Sequence, residues 1–294
     1  MNFTKMHGIG NDYVYVDCFD QDVLDPAALS RAMSDRHRGV GADGLILILP
    51  PTDADRADLR MRMYNADGSE AEMCGNGIRC LAKYAHDHGR TSARPMRVET
   101  RAGVLDIDYR TNGDGRLVEA TVDMGPPVLD PARIPLDTTK LTPGPESGTF
   151  ALVIADEPLT LTAVSMGNPH VIVFVEDLAD QHLRLGPIIE THPAFPQRTN
   201  VHFAQVRGPA EITVRHWERG SGATLACGTG ACAVCVAAAL TGRASREVLA
   251  HLPGGDLKLR WDEQNDHVYM TGPATEVFRG VWPLPGQGSD SDQP

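Results

Sequence analysis

Two cysteines stand in matching sequence contexts. Cys74 lies in the sequence MCGNG and Cys227 in the sequence ACGTG. Each Cys-Gly-x-Gly leads into a stretch typical of a helix, residues 78–88 and residues 231–240. Asn65 stands nine residues before Cys74, and Glu218 stands nine residues before Cys227. This repetition indicates two thiols that serve one reaction centre from opposite sides.

The start of a helix leaves backbone N–H groups unpaired and carries roughly half a positive charge. We therefore expect the pKa of both thiols to be lowered, so that thiolate forms near neutral pH. The glycines would let a ligand carboxylate approach the amides of Gly75, Asn76, Gly228 and Thr229. A cysteine protease would need one thiol with a dedicated histidine. Two equivalent thiols instead favour two-base proton transfer, which inverts a stereocentre at carbon.

The composition excludes several classes of protein. Hydrophobic residues make up 41% of the 294 residues and charged residues 22%, as in ordinary globular proteins. The formal net charge of −12 argues against a nucleic-acid surface, since no basic run offsets it. The sequence has no apolar signal-peptide core and no stretch long enough for a membrane-spanning helix. We expect a cytoplasmic protein with a small-molecule substrate and no nucleic-acid or membrane partner.

The other four cysteines are expected to be structural. Cys232 and Cys235 form a CxxC pattern, but a zinc site needs a second ligand pair of similar spacing, which the sequence lacks. Six cysteines in 294 residues are also too few for a disulfide scaffold. We expect no metal, and we expect Cys18, Cys80, Cys232 and Cys235 to pack in the core.

The two halves of the chain follow one plan. The first half is predicted to contain a helix from Asp25-Pro26 to about Arg36 and strands at residues 13–17, 45–49, 58–64, 96–100, 103–109 and 118–124. The second half is predicted to contain a short helix at residues 187–192 and strands at residues 159–166, 171–175, 201–206, 211–217, 257–261 and 268–271. Self-similarity at half the chain length implies duplicated domains with a ligand cleft between them, where Cys74 and Cys227 would face one α-carbon.

We place the first domain at residues 1–126 and the second at residues 127–274. Residues 286–294 consist mainly of Gly, Ser and Asp without an apolar anchor, so they are predicted to be a disordered tail.

Several blocks of the sequence resemble the diaminopimelate epimerase family. They are KMHGIGNDY at residues 5–13, NADGS with MCGNGIRC at residues 65–69 and 73–80, GNPH at residues 167–170, and ERG with ACGTG at residues 218–220 and 226–230. The resemblance runs from Phe3 to about Pro273. It implies a cofactor-independent isomerase that interconverts LL- and meso-diaminopimelate in bacterial lysine and cell-wall precursor synthesis. It further implies a homodimer, although the residues themselves leave the oligomeric state open.

The resemblance also implies a fold of class α/β (α+β). Two pseudo-symmetric domains would each form a curved, mostly antiparallel sheet around a central helix, with the active site in the cleft between them. Residues 275–285 would return to the first domain.

Site residues follow from the resemblance, position by position. Cys74 and Cys227 would be the acid/base pair, and His170 and Glu218 would adjust the protonation of the thiols. The substrate-binding residues would be Asn11, Asn65, Gly75, Asn76, Asn168, Asn200, Glu218, Arg219, Gly228 and Thr229. One departure stands out, because many relatives carry Gln where this chain has Gly44. A side-chain contact from that position is therefore in doubt.

Other interpretations fit the residues less well. Residues 39–44 satisfy GxGxxG, but a strand and not a helix follows them, which argues against dinucleotide binding. A pyridoxal racemase would need a Schiff-base lysine, and none of the four lysines lies in a suitable motif. A proline racemase-like enzyme would need an apolar pocket, whereas Asn65, Asn168, Asn200 and Arg219 suit a charged group. A non-catalytic amino-acid-binding protein, or a relative of phenazine-pathway isomerases, would lack one or both cysteines.

Overall fold

The computed structural model describes residues 1–146 and 148–283. These residues form two compact units, one comprising Met1–Ala120 with Pro273–Pro283 and the other comprising Thr121–Gly272. The tail predicted at residues 286–294 lies outside the described residues. The predicted fold class is confirmed, since both units are mixed α/β and mostly sheet. Among the described residues, no helix combines the length and apolar character needed to cross a membrane.

The first unit is one mixed sheet with two helices. Its helices are α1 (Pro26–Ser34) and α2 (Gly75–Asp87), and its strands are β1 (Asn2–Gly8), β2 (Asn11–Asp17), β3 (Gly44–Leu49), β4 (Leu59–Asn65), β5 (Glu70–Ala71), β6 (Met96–Thr100), β7 (Gly103–Thr111), the start of β8 (Leu117–Asp123) and β18 (Thr275–Val281). Seven strands pair in the order β18-β1-β2-β3-β4-β6-β7. The β2–β3 and β4–β6 pairs are parallel and the others are antiparallel.

The second unit has the same plan. Its strands are β9 (Thr142–Pro143), β10 (Thr149–Ile154), β11 (Glu157–Ser165), β12 (Pro169–Phe174), β13 (Asn200–Gly208), β14 (Glu211–Trp217), β15 (Glu247–Leu252), β16 (Gly255–Trp261) and β17 (Val268–Pro273), and its helices are α3 (Gln181–Arg184), α4 (Gly186–Glu190) and α5 (Gly228–Leu240), with 3-10 turns at Pro131–Arg133 and Thr138–Lys140. Neighbouring strands pair in chain order, and the parallel pairs are β12–β13 and β14–β15.

The two sheets match strand for strand. From β18 in the first unit and from β10 in the second, the pairs run antiparallel, antiparallel, parallel, antiparallel, parallel and antiparallel. The C-terminal strand β18 therefore takes the place in the first unit that β10 takes in the second. The helices α2 and α5 follow the equivalent strands β4 and β14, so the duplication predicted from the sequence extends to the order and direction of the strands.

The helices α2 and α5 form the centre of each unit. Ten residues of α5 are buried, among them Cys232 and Cys235, so its whole circumference packs against strands. Cys80 of α2 is also buried, whereas Cys18 is only half buried. Both helices begin three residues before the predicted starts, at Gly75 and Gly228. The glycines of the first turn obscured these starts, because glycine has a low helix propensity.

Other differences concern helix α1 and four strands. Asp25 caps α1 as predicted, with its side chain accepting from the backbone N–H of Ala28 at 2.9 Å, but the helix ends at Ser34 and not near Arg36. The strands β1, β10, β15 and β18 were not predicted. The patterns of β1 and β18 are irregular: Lys5 in β1 is buried, donating to Asp12 and to the Gly41 carbonyl, and Phe278 in β18 is exposed.

Gly44 stands where two strands approach too closely for a side chain. A Cβ atom placed there would lie 2.1 Å from the carbonyl oxygen of Tyr64 and 3.0 Å from the ring of Tyr13. The backbone of β4 cannot move aside without breaking the β3–β4 pairing, in which Leu45 faces Tyr64. Gly44 therefore makes no side-chain contact with a ligand, and a larger residue would not fit this backbone.

We expect Gly44→Ala to reduce the free energy of unfolding by about 1–3 kcal/mol, the usual cost of overpacking. Gly113→Ala is the matched control, because a Cβ atom at Gly113 would meet nothing within 4 Å. Urea unfolding followed by circular dichroism measures both. Equal stability of the two variants would show that β3 and β4 separate freely at this point.

Candidate active site

Cys74 is the N-cap of helix α2. Its backbone is extended, with φ −134° and ψ 121°, and its sulfur accepts a hydrogen bond from the N–H of Gly77 at 3.4 Å. The thiol also donates to Oδ1 of Asn11, with a sulfur–oxygen distance of 3.2 Å. The first N–H groups of a helix have no acceptor within the helix. The capping position thus places the thiol beside the amides of Gly75 and Asn76.

A chain of polar side chains holds the oxygen that Cys74 contacts. Asn76 donates to Oδ1 of Asn11 at 3.3 Å, and Arg79 donates to Oδ1 of Asn76 at 2.9 Å. Asn11 in turn donates to Oδ2 of Asp43 at 2.7 Å. Arg79 is fully buried and also donates to the carbonyl of Gly75 at 3.2 Å. A buried positive charge at this helix start adds to the favourable field for an anion.

The turn before α2 contains Asn65, the last residue of β4. Its side chain donates to Oγ of Ser69 at 3.0 Å, and its N–H donates to the carbonyl of Ser69 at 2.9 Å. Gly68 in this turn has φ +87°, a conformation that favours glycine. The predicted first-unit residues Asn11, Asn76 and Cys74 form one connected cluster, while Asn65 belongs to the adjoining turn.

Cys227 is the N-cap of helix α5 and is 4% exposed. Its sulfur lies 3.8 Å from the hydroxyl of Thr229. Burial, followed by the negative charge of Glu218, raises the pKa of the Cys227 thiol well above its ordinary value. The expectation of a lowered pKa is therefore wrong for Cys227. Loss of hydration and a nearby carboxylate outweigh the half-charge of the helix start at this position.

Glu218 and Arg219 form the turn between β14 and α5. The N–H of Glu218 donates to the carbonyl of Gly222 at 2.7 Å, and its carboxylate accepts from the hydroxyl of Thr224. Arg219 is exposed and donates to the Gln197 carbonyl at 3.1 Å. Its guanidinium has no carboxylate partner within residues 1–146 and 148–283, so it remains available to an anionic ligand.

Asn200, at the start of β13, uses both ends of its amide on backbone atoms. It donates to the Pro169 carbonyl at 2.9 Å and accepts from the N–H of Arg219 at 3.0 Å. Asn200 is 4% exposed. Its contacts position the Arg219 turn next to the start of β12.

Three histidines form a buried chain in the second unit. Nδ1 of His170 lies 2.9 Å from Nε2 of His202, and Nδ1 of His202 lies 2.9 Å from Nδ1 of His216. The outer end of the chain is Nε2 of His170, which lies 2.8 Å from Oδ1 of Asn168. Burial is the main cause that lowers the pKa of His170 and of His216 to about 3, and it lowers the pKa of His202 as well. All three rings are therefore neutral at neutral pH.

His170, His202 and Cys227 bring possible metal-ligating atoms within 4.8 Å of one another. However, both ring nitrogens of His170 and both of His202 already take part in the hydrogen bonds of the chain. The arrangement is consequently that of a hydrogen-bonded chain beside the thiol.

The strand registers allow a residue-by-residue comparison of the two units. Tyr13 faces Gly44 in β2–β3 as His170 faces Asn200 in β12–β13. One strand further, Ile46 faces Met63 as His202 faces His216. The positions of His170, His202 and His216 are therefore occupied in the first unit by Tyr13, Ile46 and Met63, all buried.

Several residues of the site were missed by the sequence argument. His202 and His216 lie in predicted strands, on the face whose other residues form the core. A polar residue on such a face was the available signal in the sequence. Arg79 follows Gly75 by one helical turn, and this spacing was the available signal that the Arg79 side chain could reach the Gly75 carbonyl. Tyr13 carries a phenol whose pKa is raised by burial and by the neighbouring Cys74.

The chain matches the family model described as diaminopimelate epimerase over residues 3–129 and 162–277. A diaminopimelate epimerase of Desulfovibrio desulfuricans is 51% identical over 285 residues, covering 96% of this chain and 98% of that protein. One from Desulforudis audaxviator is 52% identical over 284 residues, covering 96% and 99%.

Solved structures with lower identity share the fold. A hydroxyproline epimerase from Agrobacterium vitis has a TM-score of 0.66 at 16% identity, covering 95% of this chain and 90% of that one. A phenazine biosynthesis protein of the PhzF family from Bacillus anthracis has a TM-score of 0.66 at 16% identity, covering 97% and 99%. On the family model and the full-length relatives, this chain belongs to the diaminopimelate epimerase family.

Proposed function

We propose that this chain is a cofactor-independent isomerase that interconverts LL- and meso-diaminopimelate by proton transfer between two thiols and the α-carbon. The observation that carries the proposal is the pair of N-cap cysteines. Cys74 and Cys227 occupy equivalent positions at the starts of the two central helices. Family membership supports the substrate, and the equivalent positions support a reaction that treats the two faces of a carbon alike.

The surroundings of the two thiols differ. Cys227 has Glu218 and the neutral His170 as neighbours, and its raised pKa keeps it protonated in the unliganded protein. Cys74 has the neutral amide of Asn11 as a partner. We therefore propose that substrate binding changes the hydration and charge around the thiols, so that one acts as the base and the other as the acid. His170 and Glu218 would adjust the protonation of the Cys227 thiol.

The helix starts support binding of the reacting carboxylate. Amides of Gly75 and Asn76, and of Gly228 and Thr229, would donate to this group as it gains negative charge during proton removal. Preorganised donors of this kind are each worth roughly 3 kcal/mol. The proposed mechanism gives Asn11, Asn65, Asn168 and Asn200 the role of fixing the rest of the substrate.

The guanidinium of Arg219 supports recognition of a second carboxylate. It is exposed and has no carboxylate partner within the described part of the chain, and its planar fork matches a carboxylate with two parallel hydrogen bonds. Glu218 would face an ammonium group. Diaminopimelate has an amino-acid group at each end, so one end can react while the other is recognised.

We further propose that the protein acts as a homodimer in the cytoplasm, which the family resemblance supports. Light scattering after size-exclusion chromatography measures the mass in solution, and a mass near that of one chain would contradict the dimer.

Replacing either thiol should abolish epimerisation. We expect Cys74→Ala and Cys227→Ala each to reduce kcat by roughly a thousandfold or more, because each removes one acid/base group. Proton NMR of deuterium incorporation at the α-carbon in heavy water measures this. Cys18→Ala is the control, since this half-buried thiol lies outside the site. Wild-type turnover in either active-site variant would sink the two-base scheme, and equal turnover of proline would contradict the substrate.

The raised pKa of Cys227 predicts slow alkylation that speeds up as the pH rises. Thiolate is the reactive form, so the rate should keep rising through pH 9 in the unliganded protein. Glu218→Gln removes a negative charge, lowers the pKa and should accelerate the alkylation of Cys227 at pH 8. Peptide mass spectrometry measures each cysteine separately. Glu211→Gln, at an exposed carboxylate of the same unit, is the control and should leave the rate unchanged.

The second carboxylate should decide substrate choice. Lysine lacks this group, so we expect its kcat/KM to be at least roughly a thousandfold lower than that of diaminopimelate, because the donors proposed to bind the second carboxylate stay without it. Arg219→Met should remove most activity on diaminopimelate, while Arg207→Met, which alters a surface arginine bonded to Thr213, should not. Comparable kcat/KM values for the two substrates would refute the assignment.

A further inference from the structure

We propose that His202 and His216 are positioning residues that fix the direction of the Asn168 amide, so that its N–H groups face a carboxylate of the substrate. Proton transfer between two thiols and a carbon does not by itself call for His202 and His216. The proposal depends on the proposed function only in the identity of the ligand, since the direction of the amide is a property of the unliganded protein.

The fold itself does not require the three imidazoles. The first unit has the same strands in the same register with Tyr13, Ile46 and Met63 at the equivalent positions. The two central helices meet these positions in the same way. A Cβ atom at Gly77 would lie 2.7 Å from Cδ1 of Ile46, and one at Gly230 would lie 2.2 Å from Cε1 of His202. Apolar side chains satisfy this packing, so the buried histidines serve another purpose.

The hydrogen-bond partners at both ends of the histidine chain indicate which nitrogen of each ring donates. At the inner end, Nε2 of His216 is buried and has no partner within the described part of the protein. A buried N–H without an acceptor is rarer than an acceptor without a donor, so this nitrogen carries no hydrogen. His216 therefore donates from Nδ1 to His202, His202 donates from Nε2 to His170, and His170 donates from Nε2 to Oδ1 of Asn168.

This direction leaves the amino group of Asn168 outside the chain. Its oxygen accepts from His170, and its Nδ2 has no hydrogen-bond partner among residues 1–146 and 148–283. The equivalent Asn11 differs, because its Nδ2 donates to Asp43 at 2.7 Å. The residue equivalent to Asp43 is Thr199, which bonds to the Asn200 carbonyl through its hydroxyl. In the first unit an aspartate thus holds the Nδ2 end of the amide, whereas in the second unit a histidine chain holds the Oδ1 end.

An amide held in this way offers donors and no acceptor to a ligand. Asn168 is partly exposed, and Asn200 links the Pro169 carbonyl beside it to the N–H of Arg219. Two kinds of donor, an amide and a guanidinium, therefore belong to one connected group of residues. A carboxylate complements both, whereas an ammonium group would require the amide to turn over and break its bond with His170.

The first test is the position of the hydrogens in the unliganded protein. In protein labelled with nitrogen-15 in its histidines, NMR at pH 7.5 should show hydrogen on Nε2 of His170, on Nε2 of His202 and on Nδ1 of His216. Hydrogen on Nδ1 of His170 would overturn the proposal, whether or not the protein is an epimerase. This measurement needs no variant, so it decides the question even if substitutions in the core prevent folding.

The second test transfers the side chains of the first unit. His216→Met and His202→Ile each interrupt the chain with the residue found at the equivalent position, so both variants should fold, with a urea midpoint lowered by the buried imidazole nitrogens that lose their partner. We expect KM for diaminopimelate to rise roughly tenfold with little change in kcat, as one oriented hydrogen bond is lost. His251→Met, at a surface histidine paired with Asp256 and Glu211, should leave KM unchanged.

Folded variants of His216 and His202 with unchanged KM would overturn the positioning role. An Asn168→Asp protein, which presents oxygens in place of the donors, should bind diaminopimelate more weakly still because it repels the carboxylate. Activity of the wild type on a different substrate and not on diaminopimelate would refute the proposed function. The NMR result would still decide the direction of the Asn168 amide, because it does not depend on the substrate.

Discussion

The structure depends on the close contact between the start of each central helix and the strand beneath it. At Gly77 and at Gly230 any side chain would collide with Ile46 or with His202. Glycine is required there by the available space, because the helix must lie directly on the strand. This contact holds each N-cap in place, and the N-cap residues are the two cysteines proposed to react. A thiol at the end of a loop would have no comparable restraint, whereas Cys74 and Cys227 are held by a helix and a sheet together.

The same framework carries different polar interiors in the two units. The first unit buries Tyr13, Ile46 and Met63 where the second buries His170, His202 and His216. A buried imidazole costs stability unless its nitrogens are hydrogen-bonded. In the chain of three rings, every nitrogen but one has a hydrogen-bond partner within the described part of the protein. Around Cys74 the partners are neutral amides backed by the buried charge of Arg79, while Cys227 has a carboxylate nearby. The two thiols thus occupy equivalent positions in duplicated units, but the charges around them differ.

Much of this framework is visible in the sequence. The duplicated Cys-Gly-x-Gly predicted both central helices, although their starts were placed three residues too late, and the alternation at residues 96–100 and 211–217 predicted two strands with the bounds that the structure has. The strands β1 and β18 were not visible, because they pair with each other across a long separation in sequence and their own patterns are irregular. The pKa of Cys227 was misjudged for a related reason. The helix start is local and can be read from spacing, whereas burial and the charge of Glu218 arise only when the turn and the helix pack together. The histidine chain escaped notice because its members come from three strands, and only the sheet register brings them into line.

The path of the C-terminal strand has a consequence for synthesis of the protein. Strand β18 pairs with β1 in the first unit, although 200 or more residues separate them in the chain, as in the pairing of Phe3 with Gly280. The ribosome releases β1 early and β18 last. The second unit, Thr121–Gly272, is one continuous segment and has all its strands before β18 emerges. The edge of β1 stays uncovered throughout translation, and the half that is made first is the half whose sheet is completed last.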